Sequence, residues 1–292
     1  MELVELRART RIPKSELEKK VGKIITDKDY NVLLTGPTKI VGPSGQPMAI
    51  YLPQAITKEL RDKHYPTLHA IKDKTDNRGL ASGSVRVSVK GQNRANKIRS
   101  AIMGSFEGTG AQKSRFPYCR TTAWTGKNTE QFHSLYPLFQ HIGKMMETYV
   151  PDRWANQMTR VKQTDPAWIV EGTPFTTMTV NNTYPTGVHK DKGDLDEGFS
   201  CLATWRRGQY SGGYLTFPEW RIAVNMQDGD LLLMDAHQWH GNTDLILESE
   251  DAERISLVLY YRTELMACGT LEEEAELERS AKRKHQAINA TL

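Results

Sequence analysis

The chain has few of the features that mark membrane, secreted or zinc-binding proteins. It contains no run of about 18 apolar residues, so no membrane span is expected. Its first residues show no signal-peptide pattern. The only cysteines, Cys119, Cys201 and Cys268, are scattered and form no Cys-x-x-Cys pair, so neither a zinc site nor a disulfide framework is expected. These absences together predict a reducing, cytoplasmic setting.

The charge balance and the length exclude little by themselves. The 292 residues suffice for one large domain or two small ones, and 38% of them are hydrophobic. The net charge of +4 is mildly basic, which is compatible with a nucleic-acid partner but does not require one. Gly36-Pro37-Thr38-Lys39 lacks the Gly-Lys-Ser/Thr ending of a phosphate-binding loop, so nucleotide binding of that kind is excluded.

Short apolar runs separated by turn residues dominate the chain from Phe175 onward and predict strands. These segments are Phe175–Asn181, Phe199–Trp205, Gly213–Phe217, Ile222–Asn225, Asp230–Met234 and Arg254–Tyr261, preceded by Val32–Thr35 and Met48–Leu52. Many short strands with glycine-rich turns are typical of a jelly roll. The sequence therefore predicts a mixed α+β fold dominated by β-structure.

Helices are predicted mainly before this β-rich part. Apolar spacing from Gln131 to Tyr149 indicates an amphipathic helix that supports the sheet, with Pro137 at its start or at a kink. Ile56 to Tyr65 predicts a short helix that Pro66 ends. Gly104–Gly110 is expected to be a flexible loop, and Glu272–Lys284 a solvated, charged helix.

A candidate metal site lies in Thr-Gly-Val-His-Lys-Asp. His189 and Asp191 are two residues apart, so an extended segment points both side chains to the same side. A distal histidine can complete the set, and the Gly-Asn that follows His240 favours it over His237. Two histidines and one carboxylate leave open positions on a metal, which is the pattern of non-haem Fe(II) oxygenases.

An arginine follows on the last predicted strand. Arg254 on an otherwise apolar strand requires an anionic partner, and Ser256 faces the same way two residues later. A guanidinium can bind a carboxylate with two parallel hydrogen bonds. Arg262 is a weaker alternative for this role, and Asn181, just upstream of the metal residues, is a further candidate.

This ordered set resembles the TET/JBP branch of the 2-oxoglutarate and Fe(II)-dependent dioxygenases, including its bacteriophage members. Three further stretches carry the resemblance: Asp76–Gly83 with its Asn-Arg-Gly, Cys119–Ala123 with its Cys-Arg-Thr-Thr, and Phe175–Asn181. The resemblance implies a double-stranded β-helix core with N-terminal helices that buttress the sheet. It implies Fe(II), 2-oxoglutarate and O2 as cofactors, with ascorbate as an additive in vitro. His189, Asp191 and His240 would bind iron, and Arg254, Ser256 and Asn181 would bind 2-oxoglutarate.

The resemblance also implies residues on the substrate side. Arg78 and Arg120 match the family's substrate-side positions, although structural ion pairing is as good an interpretation. Asp194 would contact a base edge or only order its loop. Arg86 and Arg94 belong to the densest basic stretch, which is either a solvated loop or a contact with DNA. We expect residues 1–110 to form an extension with substrate-contacting loops, residues 111–265 the dioxygenase core and residues 266–292 a charged helix, in one compact unit.

The expected activity is hydroxylation of the 5-methyl group of thymine or 5-methylcytosine in DNA to the 5-hydroxymethyl base. DNA is then the partner, with no membrane and no obligate protein partner. One alternative is a dioxygenase that acts on a free nucleotide, a protein side chain or a small metabolite. Another is a DNA-binding β-barrel without catalysis, against which the intact set of metal residues argues.

Overall fold

The computed structural model describes residues 1–72, 88–89, 92–93, 98–108 and 116–289. Within them the strands are β1 (Val4–Arg7), β2 (Val32–Leu34), β3 (Thr38–Val41), β4 (Pro47–Leu52), β5 (Ser88–Val89), β6 (Gln92–Asn93), β7 (Arg99–Phe106), β8 (Arg120–Thr121), β9 (Thr177–Asn182), β10 (Ser200–Arg207), β11 (Tyr210–Gly212), β12 (Leu215–Phe217), β13 (Ile222–Val224), β14 (Leu231–Met234), β15 (Gly241–Asn242), β16 (Leu245–Leu247) and β17 (Glu253–Tyr260). The α-helices are α1 (Lys14–Glu18), α2 (Lys58–His69), α3 (Ala123–Lys127), α4 (Thr129–Ser134), α5 (Tyr136–Tyr149), α6 (Pro151–Val161) and α7 (Leu271–Asn289).

A large sheet organises the fold. Its strand order is β1-β3-β4-β14-β10-β17-β9-β7-β8, and its central pairs β10–β14, β10–β17 and β17–β9 are antiparallel. Strands β3, β4 and β7 come from the first 110 residues, yet they lie in the same sheet as β9, β10 and β17. A smaller sheet has the order β15-β12-β13-β2, and a third has the order β11-β16-β5-β6. The predicted β-dominated jelly-roll fold is confirmed.

Side-chain alternation gives the large sheet two different faces. On β17, Ile255, Leu257 and Leu259 point toward the helices and join the main hydrophobic cluster. The intervening Arg254, Ser256, Val258 and Tyr260 instead line a cavity on the opposite face. On β9 the same alternation places Met178 and Val180 in that cluster and Thr179 and Asn181 in the cavity wall. The strand period therefore separates the core from the cavity.

Helices α2 and α5 cover the rear face of the sheet. Helix α2 begins where the Thr57 hydroxyl accepts a hydrogen bond from the Leu60 N–H. Helix α5 has Pro137 in its first turn and buries one apolar stripe, and the predicted amphipathic helix over 131–149 is confirmed in two pieces. The buried side chains of that stripe are Leu138, Phe139, Ile142 and Met146.

Three local predictions were wrong. Helix α2 does not end before Pro66 but continues to His69, because buried Leu68 anchors its last turn in the core. Gly104 to Phe106 are not loop residues; they end β7, where Gly104 pairs with Thr177 of β9. The expectation of no disulfide also fails, since Cys119 and Cys268 form one.

The disulfide ties the C-terminal segment to the strand that carries Arg120. Buried Glu274 supports the same junction, because its carboxylate accepts hydrogen bonds from the Cys119 and Gly269 backbone N–H groups at 2.6 and 2.8 Å. The sequence signal for this pair was weak, because 149 residues separate the two cysteines.

Within the described residues, no helix is both long and apolar enough to cross a membrane.

Candidate active site

The two ligand-bearing segments meet through a backbone bridge. The His189 N–H donates to the His240 carbonyl at 2.9 Å, and the His240 N–H donates to the His189 carbonyl at 3.0 Å. Farther along this pair, the Asn242 side-chain carbonyl accepts hydrogen bonds from the Thr186 N–H and hydroxyl, both at 3.0 Å. These bonds fix the distance between the His-x-Asp segment and the distal His-Gly-Asn segment.

The bridge brings His189, Asp191 and His240 into one cluster, in which one ligand atom from each residue lies within 4.8 Å of the others. The His189 Nε2 atom is 3.5 Å from one oxygen of Asp191, and the His240 Nε2 atom is 3.7 Å from the other. Such separations allow one metal ion to bind all three atoms at about 2 Å. His237, the alternative distal residue, instead contacts Asp235 and Asp196.

Hydrogen bonds orient both imidazole rings for metal binding. The His189 Nδ1 atom lies 2.8 Å from the Gly187 carbonyl, and the His240 Nδ1 atom lies 2.9 Å from the Gln238 carbonyl. A carbonyl only accepts, so each Nδ1 carries the proton and each Nε2 keeps its lone pair. Burial, together with the neighbouring His189, lowers the pKa of His240 to about 4. The ring is therefore neutral at pH 7, as a metal ligand must be.

Arg254 is a buried cation with an unused donor. Its side chain lies in the cavity wall, the residue is 4% exposed, and its Nη2 atom has no hydrogen-bond partner among the described residues. Burial lowers the pKa of its guanidinium. Burying a positive charge without a partner costs free energy unless an anion binds to it. Arg254 therefore marks an anion subsite.

Ser256 and Asn181 lie beside this subsite. They are register partners on β17 and β9, and both line the cavity. The Asn181 side-chain carbonyl accepts a hydrogen bond from the Ser100 hydroxyl at 2.9 Å, which orients the amide. The structure thus brings together the three residues predicted for 2-oxoglutarate.

The cavity has a volume of about 200 Å³ and contains the metal cluster, Arg254, Ser256 and Asn181 in one space. Leu202, Leu215, Met234 and Val258 supply apolar walls. A small dicarboxylate that reaches the metal with one end and Arg254 with the other satisfies both the open metal positions and the unused guanidinium donor. The residues present therefore fit Fe(II) and 2-oxoglutarate.

Of the two predicted substrate-side residues that the structure describes, Asp194 lines the cavity. Its carboxylate accepts a hydrogen bond from the Ser200 hydroxyl at 2.6 Å. Burial, followed by the nearby negative charge of Asp191, raises the pKa of Asp194 to about 7. A carboxyl group of this kind can accept or donate a hydrogen bond at the edge of a substrate.

Arg120 lies near the cavity but not in its wall. Its guanidinium is 4.7 Å from the centre of the Phe116 ring and 5.7 Å from that of Phe106. Phe106 lines the cavity, so Arg120 contacts the cavity wall through this ring. Arg78, Arg86 and Arg94, together with the segment Asp76–Gly83, lie outside the described residues.

Sequence reasoning missed Glu107. This buried carboxylate accepts from the Arg262 Nε atom at 2.7 and 2.8 Å and also pairs with its Nη2 atom. Arg262 therefore has its own anion, which leaves Arg254 as the better candidate for 2-oxoglutarate. No local sequence signal identifies Glu107, because 155 residues separate it from Arg262.

A facial set of two histidines and one carboxylate, beside a buried arginine in a jelly roll, defines the class of 2-oxoglutarate and Fe(II)-dependent dioxygenases. Residues 104–263, more than half of the chain, match the Tet_JBP model, described as the oxygenase domain of the 2OGFeDO superfamily. The chain belongs to this family, whose cofactors are Fe(II), 2-oxoglutarate and O2.

Two relatives and one solved structure illustrate the similarity. The chain is 33% identical over 178 residues to thymine dioxygenase JBP1 of Trypanosoma brucei brucei, which covers 58% of this chain and 21% of that protein. It is 28% identical over 275 residues to the bifunctional helicase and thymine dioxygenase JBP2 of Trypanosoma brucei brucei (strain 927/4 GUTat10.1), which covers 94% of this chain and 24% of that protein. The chain thus spans about a quarter or less of these relatives. The structure of NgTET1 in complex with 5mC DNA has the same fold, with a TM-score of 0.60 and 16% identity over 92% of this chain and all of that one.

Proposed function

We propose that this chain hydroxylates the 5-methyl group of a pyrimidine base in DNA, giving the 5-hydroxymethyl base, succinate and CO2 from the base, O2 and 2-oxoglutarate. The observation that carries the proposal is the unsatisfied Arg254 in the same cavity as His189, Asp191 and His240. The relatives support the substrate: two are named thymine dioxygenases, and the solved structure holds 5mC DNA. Thymine is the base we propose first, because those relatives have the higher identity.

Each cavity residue has a role in this reaction. His189, Asp191 and His240 bind the iron through two Nε2 atoms and one carboxylate oxygen. Arg254 and Ser256 bind the distal carboxylate of 2-oxoglutarate, and Asn181 limits its position. When bound, iron and 2-oxoglutarate together activate O2 to hydroxylate an unactivated C–H bond. The apolar side chains of Leu202, Leu215, Met234 and Val258 exclude water from the reacting atoms.

The substrate side follows from the remaining wall. Asp194, oriented by Ser200, hydrogen-bonds the edge of the pyrimidine. Arg120 supports the wall through Phe106, while Arg78, Arg86 and Arg94, from the first 110 residues, contact phosphates. A base in duplex DNA must leave the stack to reach such a cavity, at a cost of a few kcal/mol that phosphate contacts offset. A cytoplasmic location remains part of the proposal, but the Cys119–Cys268 disulfide argues against the reducing setting from which it was predicted.

Mass spectrometry of nucleosides tests the proposal. Unmodified DNA and DNA that contains 5-methylcytosine are incubated with the protein, Fe(II), 2-oxoglutarate and ascorbate, with His189→Ala as the control. We expect 5-hydroxymethyluracil from thymine, absent with the variant. Oxidation of 5-methylcytosine alone would change the base that we propose first. The absence of any oxidised base would overturn the proposal.

Succinate release separates the alternatives. The proposed enzyme releases succinate faster when DNA is added. A dioxygenase for a nucleotide or a metabolite ignores DNA, and a DNA-binding barrel without catalysis releases no succinate.

A further inference from the structure

A short N-terminal segment runs alongside the metal ligands. Val21 forms a parallel bridge with Val188, and the Gly22 N–H donates to the Val188 carbonyl at 2.9 Å. The Val188 N–H donates in turn to the Lys23 carbonyl at 2.9 Å. The segment Val21–Lys23 therefore pairs with Val188, the residue that precedes the ligand His189.

The outer side of the ligand-bearing bridge carries cations and an aromatic ring. His189 and Asp191 face the cavity, so Val188 and Lys190 face the other way. On the opposite segment Trp239 precedes the ligand His240, and the Lys190 ammonium lies 5.2 Å from the centre of its ring. A groove of about 430 Å³ runs between Val188 and the N-terminal segment, and its basic lining residues are Lys19, Lys20 and Lys23.

Most of these cations have no neutralising carboxylate. Lys20 pairs with Asp29. In the described part of the chain, Lys19, Lys23 and Lys190 form no ion pair within 4 Å, although the carboxylate of Glu16 also lines the groove. All three lysines are exposed. We call Lys19, Lys23, Lys190 and Trp239 the lysine patch. It continues to exposed Lys192, which lines the cavity itself.

We propose that the lysine patch holds the phosphates of the DNA strand next to the nucleotide whose base enters the cavity, with Trp239 packed against a neighbouring base or sugar. Unpaired cations in a groove along the segment of His189, and an aromatic ring next to His240, match the way proteins bind a single strand, by phosphate attraction and stacking. A strand must be held outside the duplex next to a cavity that receives an extruded base. This proposal rests on the proposed function, because it takes DNA as the substrate.

DNA binding in a salt series tests the patch without any turnover. Fluorescence anisotropy gives the Kd of the full chain, with Mn(II) and 2-oxoglutarate, for a labelled DNA duplex with a central unpaired thymine. Each phosphate contact contributes about 0.9 to the slope of log K against log salt concentration. For the Lys19→Glu/Lys23→Glu protein we expect a slope smaller by about 2 and an affinity at least about tenfold lower in low salt. Trp239→Ala should lower the affinity and leave the slope unchanged.

A matched variant separates contact from overall charge. Lys63→Glu/Lys144→Glu changes the net charge equally, but its residues are exposed on α2 and α5, the helices that cover the rear face of the sheet. This variant should keep the wild-type slope. Equal losses of DNA affinity and salt slope in the two double variants would overturn the proposal that the lysine patch binds DNA. No loss in either variant would overturn it as well.

The outcome is independent of base oxidation. If the wild-type protein oxidises DNA but the Lys19→Glu/Lys23→Glu variant binds DNA normally, the proposal for the lysine patch is wrong and the proposed function stands. If the slope falls as expected while no DNA base is oxidised, the patch stands and the proposed function is wrong. Thermal unfolding verifies that the cavity of the Lys19→Glu/Lys23→Glu variant is folded. Mn(II) and 2-oxoglutarate should raise the Tm of this variant as much as they raise the Tm of the wild type.

Discussion

His189 and His240 each donate a backbone N–H to the backbone carbonyl of the other, and the centres of their imidazole rings lie 4.3 Å apart. The metal site is therefore positioned by main-chain pairing and by the two Nδ1 hydrogen bonds to carbonyls. A site positioned in this way exists before the metal binds. Removing one ring should then remove the metal without removing the fold.

His240→Ala is the first prediction. Loss of one of three ligands should weaken Mn(II) or Fe(II) binding more than the 10- to 100-fold typical of lost supporting hydrogen bonds, roughly 100-fold or more. Metal titration measures the affinity, and circular dichroism verifies the fold. His133→Ala, on the exposed side of α4, is the matched control and should bind metal normally. Unchanged metal affinity in His240→Ala would exclude His240 as a ligand.

Arg254→Met should separate cofactor binding from stability. The variant removes a buried, unsatisfied cation, so the protein without cofactor should be as stable as wild type or more stable. It also removes the anion subsite, so the KM for 2-oxoglutarate should rise by about 100-fold, as expected for a lost charge-assisted pair of about 3 kcal/mol. Thermal unfolding without 2-oxoglutarate measures the stability, and succinate release at varied 2-oxoglutarate concentration measures the KM.

Arg262→Met is the informative comparison for Arg254→Met. Arg262 is paired with buried Glu107, so its loss should destabilise the protein and leave the KM for 2-oxoglutarate nearly unchanged. The reverse pattern in the two variants would identify Arg262 as the residue that binds 2-oxoglutarate.

Six of the nine strands after Phe175 could be predicted because each contains a short apolar run that ends at turn residues, and His189 and Asp191 because their spacing is local. The short strands β11, β15 and β16 were not predicted; β11 and β15 contain glycine and polar residues and no apolar run. Strand β7 could not be predicted. Its residues Arg99–Phe106 include an arginine, two serines and a glycine, and only pairing with β9 makes them a strand. Tertiary burial here overrides a weak local preference.

Long-range pairs were the other failure. The ion pair between Glu107 and Arg262 and the disulfide between Cys119 and Cys268 join residues that nothing in a single sequence links. Arg262 could be recognised as a candidate, but its partner could not, so its function remained open. Such pairs depend on the order of strands in the sheet, which patterns of local periodicity do not encode.

The disulfide yields a stability prediction. Cys119 and Cys268 close a loop across a sequence separation of 149 residues, so the bond should contribute about 2–4 kcal/mol to the free energy of unfolding. Urea unfolding with and without a dithiol reductant measures this difference. The difference should vanish in Cys119→Ser/Cys268→Ser and persist in Cys201→Ala, whose thiol is buried and free. A reductant effect that survives the double serine variant would contradict the assignment.

Glu107→Gln tests the wall beside the substrate. The glutamate is 3% exposed and neutralises Arg262, so the neutral amide leaves a partly buried cation without its anion. We expect a loss of about 3 kcal/mol in the free energy of unfolding. The KM for DNA should rise more than the KM for 2-oxoglutarate, since Arg262 is bridged through its backbone to Asp194, the residue proposed to contact the base. Glu130→Gln, exposed on α4, should change neither quantity.

Gly187→Ala tests whether close backbone packing positions the metal ligands. A Cβ atom at Gly187 would lie 2.5 Å from the backbone carbonyl carbon of Gly22, where no side chain can move aside. The segment that carries His189 must then shift away from the N-terminal segment. We expect a destabilisation of about 1–3 kcal/mol, as for overpacking, together with weaker metal binding. Gly126→Ala is the control, because its Cβ meets nothing within 4 Å and alanine favours its helix. Normal metal affinity in Gly187→Ala would mean that the bridge between His189 and His240 holds the site without support from the N-terminal segment.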